Sequence, residues 1–460
     1  MTSNAFASRF QRHAMGPFIW ALGIGFGICS SLASAQTPGT TPLPWPANDP
    51  AARPQWKFDF GGKAADGFIS VPSDTRYNAN RGYGFDLGST VQSVIRGGDD
   101  PMHDGFVTSA KPLFFSADVP EGNYHVTITL GDLQGPSVAT VKAEQRRLML
   151  EKVETAPGKF ETRTIEVSVR SPRIAGGGQI RLKAPRELGY LNWDNKLTLE
   201  FSNTYPCVCA IEIEKADDLV TLFLAGDSTM TDQGAETYNS WGQMLPRFFK
   251  QGLVVANYAE SGETAKSFVG EKRWAKVMSM MKPGDFLLVQ FGHNDQKDKT
   301  PNYAMTGYKD VLKRFITDVR QKGGTPVVVT PMNRRTFDES GKSRNDLGDF
   351  PQAVRDVAKE QNVSLIDLNA MSMQFYEALG PKEAPRAFAN NGRDSTHHDN
   401  YGSYELARCI VEGIQQNHLE ITKFLADDVK PFDPANPDPV DQFAIPADPI
   451  RGTSARPEGN

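Results

Sequence analysis

Cysteine is scarce: four in 460 residues, too few to staple a chain of this length. Cys29 lies in an amino-terminal leader, and Cys207, Cys209 and Cys409 remain as an odd set, so no disulfide framework is implied. Cys207 and Cys209 stand two apart in a strand-like segment, where a Cα separation of roughly 6–7 Å sits at the upper limit for a bridge. No Cys-x-x-Cys, His-Glu-x-x-His or phosphate-binding loop is present. The glycines at 23, 25 and 27 fall inside the leader and carry no nucleotide meaning. Long basic blocks are missing as well, and the formal charge of −5 argues against a nucleic-acid partner. After residue 35 no run of about 18 apolar residues occurs, so no membrane partner is expected once the leader is removed.

That leader, residues 1–35, has the layout of a secretory signal. Arg9 and Arg12 supply positive charge, Pro17 to Ile28 an apolar run, and Ala33-Ser34-Ala35 a small-x-small cleavage site. Removing it takes away two arginines and no acid, so the formal charge of −5 becomes −7. Ile28 before Cys29 is not the small residue that a lipid-anchor signal needs. The mature chain is expected to be secreted or periplasmic.

Residues 36–54, rich in Pro, Thr and Ala, read as a linker. Over 55–216 short alternating runs such as Tyr124–Leu130, Thr162–Val169 and Leu197–Phe201 are separated by Gly and Pro, which predicts an antiparallel β-sandwich. Over 217–425 the texture changes. Continuous apolar runs at Leu219–Ala225, Val254–Ala259, Phe286–Phe291, Pro326–Thr330 and Val363–Leu368 alternate with amphipathic stretches, including Tyr308–Gln321, Ala353–Gln361 and Tyr401–Gln416. Strands buried on both faces imply a parallel sheet between helices, a three-layer α/β/α fold. Residues 426–460 form a proline-rich tail, expected to be irregular or wrapped on the surface.

Each strand of the second domain ends in a short polar turn, and open α/β sheets gather such turns at one edge. The first carries Gly226-Asp227-Ser228, the second Glu260-Ser261-Gly262-Glu263, the third Gly292-His293-Asn294-Asp295. Far downstream, Asp394-Ser395-Thr396-His397 places an acid and a base three residues apart. A serine hydroxyl becomes a useful nucleophile only beside a base, and a carboxylate fixes that base's tautomer. A nucleophile, a base and an acid are all available, which points to a serine hydrolase.

These four blocks, in this order, resemble the SGNH (GDSL-type) hydrolases over roughly residues 217–420, which implies a flavodoxin-like catalytic domain. The flanks Asn257–Phe268 and Gln290–Asp295, with Ser240-Trp241-Gly242-Gln243, resemble the rhamnogalacturonan acetylesterases of carbohydrate esterase family 12. The resemblance implies a triad of Ser228, Asp394 and His397, the Asp-x-x-His spacing selecting His397 over His398. It implies an oxyanion hole from the N–H groups of Ser228 and Gly262 and the side-chain amide of Asn294, with no cofactor required for catalysis. Asp227 is expected to orient the turn. His293 either shapes the pocket or packs beside Asn294. Arg334 and Arg335, after the fourth strand, either attract a uronate-containing polymer or are solvated charge. Trp56–Gly61 with Arg81–Phe85 resembles the galactose-binding-like sandwiches, which sometimes carry a structural Ca²⁺; their aromatics are expected in the core.

The expected activity is removal of acetyl groups from an acetylated plant cell-wall polysaccharide or oligosaccharide, rhamnogalacturonan first, through an acetyl-Ser228 intermediate. The rivals are a deacetylase for xylan or another polymer, an acyl transferase to sugar, and a carbohydrate-binding protein without activity.

Overall fold

A computed structural model describes residues 55–448; the leader (1–35) and the linker (36–54) lie outside the described residues. The first half is a sandwich of a seven-stranded and a five-stranded sheet. In the larger sheet Gly122–Asp132 pairs antiparallel with Lys159–Val169 and Val208–Lys215, so Val126 stands opposite both Ile165 and Ile213. Period-two alternation sends Tyr124, Val126, Ile128 and Leu130 inward, and all four are fully buried. The aromatics expected in the core are there: Phe58, Phe60 and Phe85 surround Phe115, with ring centroids 4.8–5.7 Å apart.

The second half is a five-stranded parallel sheet. Its strands are β1 (Val220–Gly226), β2 (Leu253–Asn257), β3 (Phe286–Gln290), β4 (Thr325–Val329) and β5 (Ser364–Ile366), in the order β2-β1-β3-β4-β5. This is the flavodoxin-like order, with β1 and β3 at the switch point where ligands of such sheets bind. Leu222 and Leu224 of β1 pack on one face, with helices α5 (Leu368–Glu383) and α6 (Asn400–Gln416). Phe223 and Ala225 pack on the other, with α1 (Ala265–Gly270), α2 (Arg273–Met280), α3 (Gly307–Gln321) and α4 (Phe350–Gln361). Burial on both faces is what makes these strands apolar throughout.

The sandwich and the parallel sheet meet through apolar packing, Leu148 lying in one core with Leu222 and Leu224, and through buried charge. Arg147 and Arg170 of the sandwich, both buried, converge on Asp232, each at 3.2 Å. Asp232 also accepts from Asn257 Nδ2 at 2.8 Å. Arg170 lies over Trp193 and Tyr258, 4.8 and 5.2 Å from their ring centroids. Residues 426–448 cross back toward the sandwich, burying Phe432, Ile445 and Asp448. Among the described residues no helix is long and apolar enough to cross a membrane.

Candidate active site

The nucleophile turn forms because β1 ends at Gly226, where an added Cβ would come within 2.7 Å of the Gln290 carbonyl oxygen. Only glycine lets β1 pass that close to β3. Asp227 then closes the turn, its Oδ1 accepting from Thr229 N at 3.0 Å and Thr229 Oγ1 at 2.8 Å. Burial pushes the Asp227 carboxyl up, but the neighbouring His293 and these two bonds hold it below its ordinary range. The Ser228 carbonyl accepts from Gln233 Nε2 at 2.6 Å, which fixes the backbone behind the hydroxyl.

Ser228 Oγ lies 2.9 Å from His397 Nε2, and His397 Nδ1 lies 3.0 Å from Asp394 Oδ2. The loop supplies the second half of this geometry itself. Asp394 Oδ1 accepts the N–H groups of Thr396 at 2.7 Å and His397 at 2.9 Å, so the carboxylate holds both the ring and the backbone that carries it. Burial alone would raise the Asp394 carboxyl; its bonds to His397 and Thr396 drive it far below the usual range, so it stays ionised. Asp399 then caps α6 through Gly402 N at 2.9 Å, ending the loop two residues after the base. Tyr238 stands edge-on to the His397 ring at 5.8 Å.

On the opposite side, Gly262 takes φ = +80°, a left-handed conformation that favours glycine. A capping box of Thr264 and Ser267 starts α1 directly after it, which anchors the turn; such a cap contributes about 1 kcal/mol. Asn294 Nδ2 donates to the Glu263 carbonyl at 3.0 Å, which ties the turn after β3 to the turn after β2. Lys183, Arg186 and Glu187 of the sandwich reach this turn. They form with Glu260, Glu263, Glu271 and Arg273 a cluster in which burial pushes Glu260 up to about 8 and Glu271 to about 7.

The structure joins Ser228, His397 and Asp394 by hydrogen bonds, and it ties Asn294 to the Gly262 turn through the Glu263 carbonyl. His293 lies next to Asp227, 1% exposed, with Nδ1 3.6 Å from Asp227 Oδ2 and, among the described residues, no hydrogen-bond partner for either ring nitrogen. Arg334 donates to Thr396 Oγ1 at 3.1 Å, and Arg335 to the Gly392 carbonyl at 2.7 Å while stacking over Phe388. Both arginines thus brace the loop that carries the base. Sequence reasoning missed Gln233, Tyr238, Lys183 and Arg186. Among the described residues no group of three or more His, Cys, Asp or Glu side chains is placed to hold a metal ion.

A buried Ser–His–Asp triad is the machinery of acyl transfer. Residues 224–398 match the family model of the GDSL-like lipase/acylhydrolases, and residues 56–159 match the galactose-binding-domain-like family of beta-agarase and YXIM esterase. Rhamnogalacturonan acetylesterase RhgT of Bacillus subtilis (strain 168) is 37% identical over 219 residues, 45% of this chain and 94% of RhgT. The "Uncharacterized esterase YxiM" of the same organism is 28% identical over 388 residues, 81% of this chain and 94% of its own. The X-ray structure of YxiM covers 80% of this chain and 99% of its own, at 25% identity and a TM-score of 0.43. The chain belongs to the GDSL-like lipase/acylhydrolase family, and it is a serine esterase with a galactose-binding-like sandwich in front of its catalytic domain.

Proposed function

We propose that the protein is an exported acetylesterase that deacetylates a plant cell-wall polysaccharide, with rhamnogalacturonan as the favoured polymer. The observation that carries this is the intact relay, Ser228 to His397 at 2.9 Å and His397 to Asp394 at 3.0 Å, in a chain that is 37% identical to RhgT over 219 residues. The leader-like residues 1–35 support export. His397 takes the proton from Ser228 Oγ as it attacks the acetyl carbonyl. The oxyanion forms among the N–H groups of Ser228 and Gly262 and the amide of Asn294. His397 then returns the proton to the sugar oxygen, which leaves as an alcohol. Water repeats the sequence on acetyl-Ser228, releasing acetate.

The test is acetate release from acetylated rhamnogalacturonan and acetylated xylan by the native chain and Ser228→Ala. Release lost with the substitution and greater on rhamnogalacturonan supports the proposal. Preference for xylan keeps the mechanism and discards the polymer; release that survives Ser228→Ala discards the mechanism.

A further inference from the structure

The peptide joining Ser261 to Gly262 carries two groups that point in opposite directions: the Ser261 carbonyl and the Gly262 N–H. Because the unit is planar, whatever fixes the carbonyl also fixes the N–H. The carbonyl is held by the other domain. Lys183 Nζ donates to it at 2.8 Å and an Arg186 guanidinium nitrogen at 3.2 Å. The same two cations grip the residues on either side of that peptide, Arg186 pairing with Glu260 and Lys183 with Glu263, each at 2.6 Å. Glu187, next to Arg186, is wholly buried and pairs with Arg273 of α2, whose Nε lies 3.5 Å from Glu263. The segment 183–187 is thus locked to the hydrolase domain at both ends of the turn.

Such support answers a local need. Gly262 has φ = +80°, and a glycine with no side chain has no packing of its own to keep its N–H aimed. Charge-assisted hydrogen bonds are roughly twice as strong as neutral ones, and hydrogen bonds along one peptide polarise each other. Two cations on the carbonyl therefore both orient the opposite N–H and make it a better donor. Glu263 extends the effect, since its own carbonyl orients the Asn294 amide.

We propose that Lys183 and Arg186, in the loop that joins sandwich strands Lys159–Val169 and Lys196–Tyr205, are positioning residues for the oxyanion hole, aiming and polarising the Gly262 N–H through the Ser261 carbonyl. This rests on the reading of the Gly262 N–H as an oxyanion donor. It makes the sandwich part of the catalytic apparatus, acting without touching the reacting atoms.

The experiment uses the full chain and 4-nitrophenyl acetate, with Lys183→Met, Arg186→Met, the double variant and Lys183→Arg. Both acylation and deacylation pass through an oxyanion, so kcat should fall about tenfold in each Met variant and on the order of 10²–10³ in the double, near the cost of one lost donor. KM should stay within about twofold. Affinity for a boronic acid that adds to Ser228 as a tetrahedral adduct should fall in parallel with kcat, and Lys183→Arg should restore most of both. A folded double variant with kcat within about twofold of native overturns the proposal. So does a loss of kcat with unchanged boronate affinity, or Met variants that lose activity only in proportion to their unfolded fraction in a thermal melt. If the double variant does not fold, the single variants and the Lys183→Arg rescue decide by the same criteria. Ser228→Ala, run alongside, separates the two readings: activity that survives it removes the serine mechanism itself.

Discussion

Tyr376 Oη lies 2.9 Å from His398 Nε2, and that bond separates the two adjacent histidines into different roles. The His398 ring packs on Phe388 at 4.2 Å, and its backbone carbonyl accepts Asn239 N at 2.9 Å. Burial, then the charge of His397, push the His398 imidazole down to about 3, so it stays neutral through the working range. His397, with one nitrogen on Asp394 and the other on Ser228, is the ring placed to move a proton. His397→Ala should lower kcat by on the order of 10⁴ or more. His398→Gln should leave kcat within about tenfold while costing about 1–3 kcal/mol of stability through the lost buried hydrogen bond. Steady-state rates and urea melts of the two variants check this pair of outcomes.

Asp394→Asn tests orientation without removing the loop's support. An amide oxygen at the Oδ1 position still accepts the N–H groups of Thr396 and His397. The amide nitrogen, however, would donate toward His397 Nδ1 and turn the wrong tautomer toward Ser228. We expect kcat to fall by about 10³–10⁴ with KM little changed. The depressed carboxyl also contributes stability, which is present above the unfolded value near 4 and lost as pH falls through the lower folded value. The stability gap between native and variant should therefore be full at pH 6 and shrink below about pH 4 in urea melts.

The catalytic domain was legible for a physical reason. Strands buried on both faces must be apolar throughout, so runs such as Leu222-Phe223-Leu224-Ala225 and Phe286–Gln290 announce themselves, and the polar turn after each marks the site edge. Helix α5 carried no such signal: Gly380, at φ = +71°, breaks it, and the apolar residues at its start ran on from the preceding strand, so Leu368 read as strand. Lys183 and Arg186 were illegible for another reason. Their partners lie 74–80 residues away, and charged residues around Ala184-Pro185 look like any solvated loop until the fold brings Ser261 to them. The same holds for Arg334 and Arg335, whose partners in the 392–396 loop exist only in three dimensions.

Asp295 follows Asn294 and is fully buried, with Oδ1 accepting Ala265 N at 3.0 Å. Burial pushes its carboxyl up to about 8 against that bond, and the charge of Asp227 raises it further. Raised carboxyls bind a proton in the folded chain that the unfolded chain releases near pH 4. The folded state then holds more protons between about pH 4 and 8, so stability falls as pH rises across that window, by up to about 1.4 kcal/mol per pH unit for each group. Asp295→Asn should flatten the decline between pH 5 and 8, measured as urea midpoints. An unchanged slope would show that Asp295 does not hold its proton in the folded protein.

Asp448 shows how the last described residues matter to a site far from them in sequence. Its carboxylate takes Lys142 Nζ at 2.5 Å and pairs with Arg146, and its N–H donates to Glu236 at 3.1 Å. Arg146 in turn donates to the carbonyls of Gln233, at 3.2 Å, and Tyr238, at 2.9 Å. Those two residues flank the catalytic pair, Gln233 behind Ser228 and Tyr238 beside His397. Removing one partner of a buried pair leaves uncompensated charge, at a cost of about 3–5 kcal/mol. Arg146 keeps Glu236, and Lys142 keeps the Pro446 carbonyl, so Asp448→Ala should fall at the lower end, about 3 kcal/mol. It should also lower kcat several-fold as the 233–238 loop loosens. Asp441, which pairs with Arg386 at the protein surface, is the control: Asp441→Ala should shift neither the melt nor the rate, because water screens that pair. Equal effects from the two substitutions would mean that the tail acts through general charge, with no specific hold on the loop.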